Sequence, residues 1–212
     1  MQEKNSVGRK YLQRENFLRG SDFLKTRIIV GITGASGILI AVELLKRLKK
    51  IESVETHLIV TDGGELTIRD ETDFDVYEIK RLADVVYDVN QMDASIASGS
   101  FLVDGMVIVP CTMKTVAGIV AGYCENLLLR AADVCIKESR KLVLIPREMP
   151  FSRIHLRNMK DLADLGVVIM PPVMTFYNTD ITVEAQINHI VNKILLQLKL
   201  PSEIIEWRGG KK

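Results

Sequence analysis

An α/β fold is predicted, a single three-layer Rossmann-like (flavodoxin-like) parallel sheet with helices on both faces. Three observations lead there: short, wholly apolar runs that recur along the chain, helical periodicity between them, and a glycine-rich loop where the first run meets the first helix. Runs 27–32, 56–60, 105–109, 142–146 and 167–169 are continuous rather than alternating, as in strands buried on both faces. Between the first two, Ile38, Ala41, Leu45 and Leu48 share one helix face. Near the end, Ile187, Ile190, Val191, Ile194, Leu195 and Leu198 form the stripe of a long helix. Parallel strands need crossover connections, so this alternation implies helices on both faces, with ligands expected beyond the carboxyl ends of the strands.

The chain has 212 residues, 47% hydrophobic and 26% charged, which fits one globular domain over 26–212. Residues 1–25 are polar and basic and lack an apolar segment, so a flexible extension is expected there. Arg9, Lys10, Arg14 and Arg19 would suit a mitochondrial targeting peptide, but Glu3, Glu15 and Asp22 oppose it, and a cytoplasmic location is expected. With 28 basic against 27 acidic residues, no net field draws the protein to nucleic acid or to a membrane. A mean hydropathy of +0.14 without a spanning segment suggests buried strands and subunit contacts. Cys111, Cys124 and Cys135 fit neither a disulfide framework nor a zinc site, and His57, His155 and His189 show no ligand spacing, so no metal is expected.

The loop Gly31-Ile32-Thr33-Gly34-Ala35-Ser36-Gly37 runs from the first strand into a helix, whose N-terminal N–H groups and dipole suit a phosphate. The same residues also describe a tight strand-to-helix turn. After the third run, Pro110-Cys111-Thr112-Met113-Lys114-Thr115 is either a second anion cradle or a capped helix with a solvated lysine. Cys111 there is a nucleophile at a helix start or a small packed side chain. Arg147 and Glu148 follow the fourth run, where an arginine can fork onto a phosphate and a carboxylate can exchange protons. Lys137, Glu138 and Arg140 read equally as the charged face of a helix. The late segment Pro171 to Tyr177 and the lone Trp207 either plug an apolar surface or wall a pocket for a developing cation.

The segments GITGASG, ETHLIV, DETDF, ASGSF, DGMVIVPCTMKT, RAADVCIKE, LVLIPREMPFSRIHLRNM and MPPVMTFYN, in this order and followed by a late Trp, resemble the UbiX-like flavin prenyltransferases over roughly residues 27–208. The resemblance implies transfer of a dimethylallyl group from dimethylallyl phosphate to reduced FMN without metal, building a ring across N5 and C6. The product, prenylated FMN, would serve a UbiD-type decarboxylase. A homo-oligomer, commonly a dodecamer, with active sites at subunit junctions is implied as well. Carried onto this chain, the FMN site comprises Gly34, Ala35, Ser36, Thr61, Thr112, Met113, Lys114, Thr115 and Arg147. The donor site comprises Ser98, Arg130, Lys137, Glu148, Tyr177 and Lys193, and the catalytic set is Ser36, Lys137, Glu148 and Trp207. Two departures stand out: Thr61-Asp62 replaces the family's usual Ser-Lys, and Lys193 replaces an arginine, losing its bidentate fork.

Other readings meet missing residues. A dehydrogenase would need a Tyr-x-x-x-Lys pair, and a flavin-dependent cysteine decarboxylase a Pro-x-Met-Asn segment; the chain has neither. A non-catalytic FMN-binding subunit is the remaining alternative, resting on Asp62 and Lys193.

Overall fold

A computed structural model describes residues 25–176, 181–203 and Gly209. The extension expected over 1–25 falls, but for Lys25, outside the described residues. The elements in chain order are β1 (Thr26–Ile32), α1 (Ile38–Lys49), β2 (Val54–Val60), α2 (Asp62–Glu71), α3 (Val76–Lys80), β3 (Val85–Tyr87), a short 3-10 turn (Ser95–Ala97), β4 (Gly105–Cys111), α4 (Met113–Val120), α5 (Leu127–Lys137), β5 (Lys141–Pro146), α6 (Arg153–Asp164), β6 (Val168–Ile169) and α7 (Val183–Gln197). The six strands are all parallel, in the order β3-β2-β1-β4-β5-β6. This is the doubly wound order, and its direction reverses between β1 and β4.

Every apolar run became a strand, and both helical stripes face the sheet. Ile38, Ala41, Leu45 and Leu48 of α1 are buried together with Ile190, Val191, Ile194 and Leu195 of α7 and with Leu198 just beyond it; Ile187 is partly buried beside them. They cover the face that carries Ile28, Val30, Leu58, Val107 and Val143. Leu127, Leu128, Ala131, Ala132 and Cys135 of α5, with Val116 of α4 and Leu162 of α6, cover Ile29, Ile59, Met106, Ile108 and Leu144 on the other face. Each fully buried Leu or Ile contributes about 1.5–3 kcal/mol, so the two apolar layers hold the sheet between them. Strand β3 leaves no apolar run in the sequence: it is only three residues long, lies at the sheet edge and leaves Val86 40% exposed.

Close backbone approach fixes the start of α2 against β1. A Cβ on Gly64 would lie 2.7 Å from the Ile32 carbonyl oxygen and 3.1 Å from its carbon, whereas one on Gly63 meets nothing nearer than the Gly34 Cα at 3.4 Å. We expect Gly64→Ala to lose about 1–3 kcal/mol in chemical denaturation, because strand backbone cannot yield. Gly63→Ala is expected to stay within about 1 kcal/mol of wild type, since the alanine gains helix propensity.

Candidate active site at the carboxyl edge of the sheet

The reversal between β1 and β4 opens a crevice at their carboxyl ends, and one buried threonine locks its two walls together. Thr33, 2% exposed, donates its hydroxyl to the Pro110 carbonyl at 2.8 Å and accepts from the Thr112 N–H at 2.9 Å. On the far side the glycine loop rests on the first turn of α2. A Cβ on Gly34 would lie 2.9 Å from the Gly63 carbonyl carbon and oxygen, so only glycine permits the approach. Ala35 is buried beneath the loop and Ser36 is half-buried. The loop therefore joins α2 to the segment 110–112.

Three of the helices that begin at this edge, those after β1, β2 and β4, differ in charge at their N-termini. At α1 the N–H groups of Gly37 and Ile38 donate to one oxygen of Glu71, at 2.9 and 3.2 Å. The unpaired N–H groups that the glycine loop offers to a phosphate in the sequence are thus filled by a carboxylate from the end of α2. Burial works against the charge of Glu71, but hydrogen bonds from the Ser36 hydroxyl, Gly37 and Ile38, with the Arg147 guanidinium nearby, hold it below the usual carboxylate range. At α2, Thr61 accepts from the Gly64 N–H at 3.1 Å, and Asp62 and Glu65 stand in the first turn. At α4, Thr112 accepts from the Thr115 N–H at 3.1 Å, the two hydroxyls lie 2.9 Å apart, and no acidic residue occupies the first turn.

Of the three, α4 is the N-terminus open to an anion, with the N–H groups of Met113 and Lys114 having no helix carbonyl to bond. Arg147 is tied beside it, its N–H donating to the Cys111 carbonyl at 3.1 Å, and its side chain is exposed. Lys114 is 88% exposed, with Glu125 at 4.0 Å. Glu148 is exposed and accepts from the Met149 N–H at 3.1 Å. The nucleophile reading of Cys111 does not survive: the side chain is wholly buried, and burial pushes its thiol far above the ordinary range. Burial likewise lowers His57 despite its bond to Glu55, making it a neutral core histidine.

The cationic residues assigned to a donor do not join this crevice within one chain. Ser98, Gly99, Ser100, Arg130, Lys137 and Glu138 line a separate cleft of about 460 Å³. There Arg130 pairs with Asp133 at 2.8 Å and donates to the Ala97 carbonyl at 3.1 Å, and Lys137 pairs with Glu138. Lys137 precedes the start of β5 and Arg147 follows its end, so the length of that strand, roughly 20 Å, separates them. Lys193 is half-buried on α7, in the helix layer opposite α5. Tyr177 and Trp207 lie outside the described residues. Among the described residues, no group of His, Cys, Asp and Glu could hold a metal, and no helix is long and apolar enough to cross a membrane.

Glu71 belongs to the DETDF segment, yet nothing in that segment points to its bond with the start of α1. Its contact with Gly37 spans 34 residues and leaves no local pattern.

The chain that carries this crevice is similar along most of its length to known proteins. The Flavoprotein family matches residues 19–199. A probable UbiX-like flavin prenyltransferase of Sedimentibacter hydroxybenzoicus is 53% identical over 186 residues, 87% of this chain and 98% of that one. The chain belongs to the UbiX-like flavin prenyltransferase family. Among solved members, the dodecameric FMN-dependent UbiX-like decarboxylase of Escherichia coli O157:H7 is 46% identical with a TM-score of 0.84, covering 87% of this chain and all of that one. AnUbiX (PadA1), solved with FMN and dimethylallyl pyrophosphate, is 42% identical with a TM-score of 0.85, covering 88% and 100%. In this UbiX-like chain the described residues of the matched region form one sheet with its helices, and both clefts lie on it.

The lowered Glu71 value makes its contribution to stability pH-dependent. A carboxylate held below its ordinary 4.5 stabilises the folded chain above that pH and loses this contribution as pH falls through the folded value. Wild type should be more stable than Glu71→Gln at neutral pH, and the gap, followed by thermal denaturation, should close on acidification below about 4.5.

Proposed function

We propose that this protein is a metal-independent flavin prenyltransferase that moves a dimethylallyl group from dimethylallyl monophosphate to reduced FMN. The observation carrying this reading is the crevice at the carboxyl edge, where one helix N-terminus without acidic residues, two threonine hydroxyls and Arg147 face the glycine loop across the locked β1–β4 junction. These groups fit the phosphate of FMN, with Thr112, Met113, Lys114 and Thr115 receiving it at the start of α4 and Arg147 supplying charge. Thr61, Gly34 and Ala35 form the opposite wall. Reduced FMN, the acceptor, supplies the nucleophilic N5 and C6 positions.

The chain's own groups then divide the work. Ser36, held by Glu71, sets a hydroxyl at the floor of the crevice. Glu148, exposed at the end of β5, takes up and returns the proton released as the ring closes. Ser98, Arg130 and Lys137 hold the donor phosphate and stabilise the negative charge that grows on it as it leaves; one such contact is worth about 2.7–4 kcal/mol. Arg130 and Lys137 already face Asp133 and Glu138, so the cleft has little net charge, which favours a monophosphate over a diphosphate. Tyr177, Trp207 and Lys193 complete the donor side by resemblance.

A transferase needs donor and acceptor in contact, and one chain holds their sites about a strand length apart. We therefore assign each active site to a junction between subunits of a homo-oligomer, a dodecamer as in the Escherichia coli relative. Apolar side chains exposed on this side, including Met149 at 88% and Phe176 at 75%, are suited to such contacts. Prenylated FMN would pass to a UbiD-type decarboxylase. Bacterial relatives favour the cytoplasm over a mitochondrial address.

Incubation with reduced FMN and dimethylallyl monophosphate should yield, by mass spectrometry, flavin carrying one added prenyl unit. Tight FMN binding without that gain would leave only the non-catalytic reading. Glu148→Gln should slow turnover at least tenfold without weakening FMN binding. Thr115→Val should weaken FMN binding about tenfold, equivalent to ~1.4 kcal/mol, and more than Ser36→Ala does; the reverse order would move the phosphate back to the glycine loop. Lys137→Ala and Arg147→Ala should each be inactive alone, yet regain activity when the two chains are coexpressed, and mixtures that stay inactive would place the site within one chain.

A further inference from the structure

The wall of the cationic cleft is a stretch of loop between β3 and β4, and it is held by its carbonyl groups. At one end the Tyr87 hydroxyl meets the Ser95 hydroxyl at 3.1 Å, and Arg130 Nε donates to the Ala97 carbonyl at 3.1 Å. At the other, the Arg27 guanidinium sits 4.5 Å above the Phe101 ring, whose edge also meets His57. Between them Arg140 binds the wall from behind: one terminal nitrogen donates to the Gly99 carbonyl at 2.6 Å, the other to the Phe101 carbonyl at 2.9 Å. These carbonyls flank Ser100. Arg140 is not among the residues that line the cleft.

The turn that ends α5 delivers Arg140 to this position. Ser139 adopts φ 54, and the Arg140 N–H closes back on the Cys135 carbonyl at 2.8 Å. One tight turn thus sends Lys137 and Glu138 into the cleft and Arg140 behind its wall. The fit between wall and cation is close: a Cβ on Gly99 would lie 2.7 Å from Lys137 Nζ and collide with the Glu138 carboxylate. A wall displaced by a few tenths of an ångström would change the space beside the lysine that is to meet the phosphate.

We propose that Arg140 is a positioning residue for the phosphate end of the donor, setting the distance between the Ser98–Ser100 wall and Lys137 without touching the ligand. This rests on the reading of the cleft as the donor site. Two parallel bonds from one planar guanidinium fix both translation and tilt of the segment, which a single lysine donor cannot do.

Steady-state kinetics on the assembled enzyme, with FMN affinity measured alongside, test the proposal. Arg140→Ala should raise the KM for dimethylallyl monophosphate about tenfold, leave kcat and FMN affinity within about twofold, and weaken competitive inhibition by inorganic phosphate by the same factor as KM. Arg140→Lys should fall between the two. Lys137→Ala separates the proposal from the reading beneath it. If that variant binds inorganic phosphate as tightly as wild type in calorimetry, the cleft is not the donor site. If it abolishes phosphate binding while folded Arg140→Ala or Arg140→Lys keeps a wild-type KM and only a lower melting temperature, Arg140 merely cements the fold and the proposal fails. Should Arg140→Ala not assemble, the comparison of Arg140→Lys with wild type carries the test, an unchanged KM overturning it.

Discussion

The hydroxyl of Thr33 is the interaction on which the crevice at the carboxyl edge depends. It is buried where the winding of the sheet reverses, donates to Pro110 and accepts from Thr112, and so ties the loop after β1 to the helix start after β4. Removing it would leave the Thr112 N–H without its partner, at about 1–3 kcal/mol, and the Pro110 carbonyl with only the longer bond from the Thr33 N–H at 3.3 Å. The glycine loop owes its path to this tie on one side and to the Gly34–Gly63 approach on the other. Ser36 and the start of α1 are then placed for Glu71, and the α4 N-terminus is placed opposite them.

Charge at the helix starts decides what each can bind. All three carry the same backbone dipole, yet Glu71 occupies the first, Asp62 and Glu65 load the second, and the third has no acidic residue in its first turn. Glycine at Gly37 lets α1 begin from a left-handed conformation, φ 113, which turns its N–H groups to the carboxylate. In this chain the glycine loop is a structural joint with a hydroxyl at its tip, and under the proposed function the threonine-capped helix would be the anion seat. Asp62 fits the same arrangement: at the first position of α2 it complements the dipole of its own helix.

Strands and long helices were legible because burial on two faces or on one stripe writes a period into the chain, as Val30 to Ile32 and Ile190 to Leu195 illustrate. Edge strand β3 was not, since three half-exposed residues carry no pattern. Individual site residues could be named from ordered segments, but the arrangement of those residues could not. Glu71 reaches Gly37 across a loop, a strand and a helix, and Arg140 reaches Gly99 across a strand and two helices. Both bonds exist only because the sheet order brings distant turns together. Cys111 had two readings, nucleophile or packed side chain, and the strand that carries it, buried from end to end, selects the packed one.

The distance between the two clefts has a consequence for the life of the molecule. Under the proposed junction, a newly made chain holds the flavin half of one active site and the donor half of another, and is inert until it meets its copies. Reduced flavin, which oxygen consumes in free solution, would meet its electrophile only inside a finished shell. A faulty cation cluster would silence a neighbour's crevice and spare its own, so damage to one chain would spread through the assembly.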